Sequence, residues 1–165
     1  MAENLDADLA RAFAYMSKSS VLTRLCAAKL KQEGRTAHSK LLRAIARAEE
    51  IHARRTLMYI RGRIGDTAQY LNKMLECKYR DTTQKYPQIS EQLNETGKKK
   101  AAEAFGQFGE VAKVHLNFLK EVFEHGAYDS TNYYVCMICG NIAIYKPYLK
   151  CSVCNAVPEK FKLED

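Results

Sequence analysis

Two Cys-x-x-Cys pairs, Cys136/Cys139 and Cys151/Cys154, lie eleven residues apart near the C-terminus. Two such pairs can present four thiolates to one tetrahedral ion, which suits iron or zinc. The spacing does not choose between the metals, and a zinc ribbon that only folds the tail would carry the same pattern. Gly140 follows the first pair, where a tight turn lets backbone N–H groups point at sulfur. Two other cysteines, Cys26 and Cys77, stand alone in helix-like stretches and are expected to be small buried core residues.

A second group of chemically capable residues lies upstream. Glu49 and His52 form a Glu-x-x-His pair, which places a carboxylate and an imidazole on one helix face. Lys78, Asp81 and His115 also fall at positions where the local apolar rhythm calls for Leu or Ile. Burying an ionisable group costs several kcal/mol unless it is paired, hydrogen-bonded or on a metal. A set of five therefore points to a polar site, or the remnant of one, among helices.

The elements that must carry these residues are four helical segments. Gly34 closes the first, Gly62 and Gly65 the second, Gly97 the third, and the stretch from Gly126 to Asn132 the fourth. Each segment carries a seam in steps of three and four, with the ionisable residues as intruders on it: Leu5, Leu9, Ala12 and Met16; Leu42, Ile45, Glu49, His52, Thr56 and Tyr59; Leu71, Met74, Lys78, Asp81 and Lys85; Ala101, Phe105, Phe108, Ala112, His115, Leu119 and Val122. A period-2 strand pattern begins only at Tyr133. Four amphipathic helices with short links predict a mainly α fold, a four-helix bundle over residues 1–128, with a small four-cysteine metal-knuckle domain over 133–165.

At this point the order of motifs resembles a family. The stretches AFAYMSKSS, ARAEEIHARR, TTQKYPQ and AFGQFGEVAKVH, followed by the cysteine pairs, are similar to a rubrerythrin over essentially the whole chain. The resemblance implies a ferritin-like bundle followed by a rubredoxin-like domain, and a peroxide-reducing enzyme that passes electrons from a rubredoxin iron to a di-iron centre. It also implies iron at the four cysteines, with Tyr134, Tyr148 and Phe161 shielding it, and a homodimer.

Carried over residue by residue, the same resemblance shows departures. The helix-one glutamate of the family falls on Met16, one helix-three glutamate on Lys78 and the other on Asp81, and the helix-four glutamate on Ala112. Glu49, His52 and His115 are kept. Two adjacent metal ions need several carboxylates to neutralise and bridge them. The bundle di-iron centre is therefore expected to be absent, with Lys78 paired to Glu49 and Asp81 in its place. One divalent ion on Glu49, His52, Asp81 and His115 is the alternative.

The net charge is +7, and nine Lys/Arg fall between Lys31 and Arg63. Such a stripe attracts an acidic partner. No aromatic–basic interleaving accompanies it, which argues against nucleic acid. No apolar run approaches the ~18 residues of a membrane span, and MAENLDADLA lacks the look of a secretory leader, so a cytoplasmic protein is expected. The leading expectation is electron transfer or redox sensing at a four-thiolate iron, in company with a redox partner protein. A binding module with a basic face and a structural metal knuckle is the alternative, and a rubrerythrin peroxidase with a modified bundle site the third reading.

Overall fold

The computed structural model describes residues 2–62, 65–126 and 131–164. It forms two compact units, residues 1–65 and 66–165. The first is a hairpin of α1 (Ala2–Gln32) and α2 (Thr36–Arg61). Gly34 sits at φ +76°, a left-handed conformation that only glycine adopts without cost, and Arg35 N–H then closes on Leu30 O at 2.9 Å. α1 ends with Lys29 and Lys31 in its last turn, cations placed against the negative end of the helix.

What joins α1 to α2 is a row of small residues. Ser20, Ala27, Ser39, Ala46, Ala53 and Thr56 are the buried residues of this unit among those described. Ser39, Ala46 and Ala53 are seven apart, as are Ser20 and Ala27, so each row stays on one helix face. Small side chains let the backbones approach closely, and the serine hydroxyls use that closeness. Ser20 Oγ donates to Ala46 O and Ser39 Oγ to Ala27 O, both at 2.8 Å. The large apolar residues are left outside: Leu22, Leu25 and Leu41 are each more than 60% exposed. Leu5, Ile45 and Tyr59, expected to face inward, are exposed as well. Within the hairpin the small-residue rows make the contact, in place of the large apolar residues of the three-and-four rhythm.

The second unit starts with α3 (Thr67–Arg80), whose first turn is capped by Asp66 accepting from Ala68 N–H at 2.9 Å. The helix then widens into one π turn, Asp81–Lys85, before continuing as α4 (Tyr86–Glu95). Pro87 explains the widening. It has no N–H to give and its ring clashes with the carbonyl four residues back, and a π turn relieves both. Tyr86 N–H accordingly reaches Asp81 O, five residues back. Beyond the turn at Gly97, α5 (Lys99–His125) packs along α3 and α4. Tyr86, Phe105 and Phe108 meet there with ring centroids 5.3–6.1 Å apart.

After the fourth segment, whose expected break lies partly outside the described residues, comes a three-stranded antiparallel sheet. β1 (Tyr133–Cys136) is central, between β2 (Ile142–Ile144) and β3 (Phe161–Leu163), with Cys136 opposite Phe161. Helical segments followed by this small cysteine-bearing sheet are the ferritin-like and rubredoxin-like parts that the sequence leads one to expect. By compactness the division falls at Gly65, so the last helices and the small sheet belong to one unit. The reason is packing: Val111 of α5 joins Cys136, Cys139, Cys151 and Phe161 in one buried cluster.

Candidate metal centre

The strand β1 delivers Cys136, and the turn after it delivers Cys139. The second pair, Cys151 and Cys154, comes from a turn between β2 and β3. The four sulfurs all lie within 4.8 Å of one another, and Cys136–Cys154 and Cys139–Cys151 are 3.7 Å apart. Four sulfurs each ~2.3 Å from a central ion form a tetrahedron with edges of about 3.8 Å. The thiols therefore stand at metal-ligand spacing, and the residues fit the ion. Cys136 and Cys151 are almost wholly buried, so a bound ion is shielded on that side.

Electrostatics favour the same conclusion. Burial pushes the Cys139 and Cys154 thiols up, against backbone N–H donors that pull them down. Cys151 goes the other way. Burial resists its ionisation, but the N–H groups of Cys154 and Val153 and the neighbouring thiols bring it to about 7. One thiolate forms readily and the next are discouraged by charge already present. A cation at the centre is what makes four thiolates compatible in so small a volume.

Asn141 ties the two pairs together, and sequence reasoning missed it. Its backbone oxygen accepts from Cys136 N–H at 2.8 Å, its side-chain Nδ2 donates to Cys151 Sγ at 3.7 Å, and its own N–H points at Cys139. The signal was its place directly after the Cys-x-x-Cys-Gly turn. Of the three expected shields, Phe161 is buried and Tyr134 packs against the cluster. Tyr148 is 88% exposed and shields nothing; it lies in the loop between β2 and the second cysteine pair, where no sheet pairing turns it inward.

The upstream residues are placed as follows. Met16 receives a 3.6 Å contact from the Thr56 hydroxyl, so the helix-one position faces α2. Glu49 Oε1 accepts from Ser19 Oγ at 2.6 Å, while Oε2 is buried with no partner among the described residues. His52 is exposed. Lys78 and Lys85 flank Asp81 at 3.7 and 3.8 Å, on the first turn of the π widening. Ala112 is buried on α5. His115 turns to the knuckle and donates Nε2–H to Gly140 O at 3.1 Å. Burial lowers its pKa against the pull of that bond, and the Lys78 charge lowers it further. Lys78 thus pairs with Asp81 as expected; Glu49, its other expected partner, belongs to the hairpin unit. Cys26 and Cys77 are exposed rather than buried, because each lies off the packed face of its helix.

The comparisons with known proteins bear on the whole chain. The rubrerythrin family model matches residues 8–123. The chain belongs to the rubrerythrin family. Among solved structures, nigerythrin in its mixed-valence state aligns at a TM-score of 0.56 and 20% identity, covering 96% of this chain and 86% of that one. Nigerythrin in a partially reduced state aligns at 0.57 with the same identity and coverage. No curated protein matches the sequence. As a rubrerythrin, the chain carries a four-thiolate site at metal spacing.

Proposed function

We propose that this rubrerythrin-family protein is an iron protein whose working centre is the four-cysteine site, used for one-electron transfer or redox sensing, and that its bundle di-iron centre has been lost. The observation that carries the reading is the convergence of four cysteine sulfurs within 4.8 Å of one another, against a helical part where Lys78 holds Asp81 at 3.7 Å. Iron is chosen over zinc by likeness to nigerythrin, solved in mixed-valence and all-ferrous states. Iron on four thiolates takes up and returns one electron. The chain's own residues hold the thiolates, aim N–H groups at them, and keep water from the Cys136 and Cys151 side. The test is reversible bleaching of the visible spectrum by dithionite and recovery in air. A colourless protein carrying only zinc would refute the redox reading.

The proposed partners rest on exposed side chains of the hairpin. Exposed Leu22, Leu25 and Leu41 on a hairpin whose buried residues, among those described, are all small call for a cover, and a second copy of the chain is the proposed one. Light scattering after gel filtration should report a dimer, and a monomer would contradict this. A second reading, a binding module, has its own observation. Arg24, Lys31, Lys40, Arg43 and Arg47 line one open groove on the hairpin, suited to an acidic protein face.

A further inference from the structure

The two cysteine pairs fold as near copies of one turn. In the first, Gly140 N–H donates to Cys136 O and Cys136 N–H to Asn141 O, both at 2.8 Å. In the second, Asn155 N–H donates to Cys151 O at 2.9 Å and Cys151 N–H to Ala156 O at 2.8 Å. Gly140 at φ +81° and Asn155 at φ +58° occupy the same left-handed position. The residue after each aims its N–H at the second cysteine of its pair, Asn141 at Cys139 and Ala156 at Cys154.

The copies differ in what meets the left-handed residue. Gly140 O accepts Nε2–H from the half-buried His115 of α5, whereas Asn155 is exposed. The Gly140 carbonyl and the Asn141 N–H are opposite ends of one peptide unit. Donation into the carbonyl polarises that unit and makes its N–H a better donor, the cooperative strengthening seen along hydrogen-bond chains. A stronger N–H to a thiolate withdraws charge from sulfur and stabilises the more electron-rich state of a bound metal. Val111, one turn before His115, packs in the cysteine cluster and fixes α5 against the turn.

We propose that His115 is a positioning residue of the four-cysteine site: through the Gly140–Asn141 peptide it orients and strengthens the hydrogen bond to the Cys139 sulfur and biases the site toward its reduced form. The redox half of this inference rests on the iron reading above; the hydrogen-bond half does not. It also gives the retained histidine a task that needs no bundle metal.

The test uses the full chain in two metal forms. In the zinc-loaded protein, the Asn141 and Ala156 amide protons are followed by NMR in wild type, His115→Leu and His115→Gln. The expected result is an upfield move of Asn141 in the Leu variant, with Ala156 unmoved as the internal reference and the Gln variant, which keeps an N–H donor, close to wild type. In the iron-loaded protein, the Leu variant should show a more negative reduction potential. Unchanged Asn141 in the Leu variant, or equal movement of both amides, overturns the proposal. If the Leu variant holds no zinc, the Gln variant decides: retention of zinc with a wild-type Asn141 shift supports it, and loss of zinc there overturns it. Failure of the iron form to cycle would sink the proposed function while leaving the zinc result to judge His115.

Discussion

Replacing Met16, Lys78 and Ala112 together by glutamate restores carboxylates where the family resemblance expects them, and the surroundings of each residue set the cost. Ala112 is only 2% exposed, so Ala112→Glu buries a carboxylate with no partner. An uncompensated buried charge costs about 3–5 kcal/mol. Lys78→Glu removes a partly exposed pair to Asp81 and puts a like charge in its place, leaving Lys85 as the remaining cation there. Loss of the pair and the new repulsion come to roughly 1–2 kcal/mol, given how much solvent reaches both groups. Met16→Glu gives up the Thr56 contact at a half-buried position, for about 1 kcal/mol. The sum, roughly 5–8 kcal/mol, rivals the whole stability of many domains. The metal-free triple variant should therefore sit at the edge of folding, and Ala112→Glu alone should lower Tm by roughly 10–20 °C. Ferrous iron should rescue only the triple variant, since each site filled at a hundredfold excess over Kd returns about 2.7 kcal/mol. Anaerobic thermal melts with and without iron, paired with iron analysis, read both effects. A triple variant that folds but takes up no more iron than the parent would show that these are not the missing ligand positions.

Two further outcomes follow from the geometry. Cys151→Ser should release the metal and unfold the sheet around the knuckle while helical circular dichroism persists, because α4 and α5 keep their own contacts through Tyr86, Phe105 and Phe108; loss of the helical signal as well would contradict this. Acidification should weaken the fold through His115. Its folded pKa lies below the ordinary value near 6.5, so the unfolded chain takes the proton first and stability falls as pH drops below that value. The wild-type loss between pH 7 and 5 should exceed that of His115→Gln in denaturant titrations, and equal slopes would refute it.

Much of this was legible in the sequence, and the reasons differ by element. The cysteine site is local: four ligands in two turns are fixed by spacing, and the Gly140 turn has the positive φ that its residue type suggests. Helix ends were legible for the same reason at Gly34, Gly62 and Gly97. Packing partners were not. A step of three and four says which residues share a face, but not what that face meets, and Leu5 and Tyr59, both on that rhythm, lie exposed. The seven-residue rows of Ser and Ala carried the missing signal, through small size rather than hydrophobicity. The π turn at Asp81 was written in Pro87, a proline inside an otherwise helical run. His115 could be placed on a helix face, but its bond to Gly140 depends on how the knuckle packs against α5, which no local pattern encodes.

The most direct test of the central claim is metal content per chain, measured with the visible spectrum on protein from iron-replete cells. The account predicts about one iron per chain, a thiolate-to-iron colour that dithionite bleaches with one electron, and its loss in Cys151→Ser. Three irons per chain, with two remaining in Cys151→Ser, would contradict it.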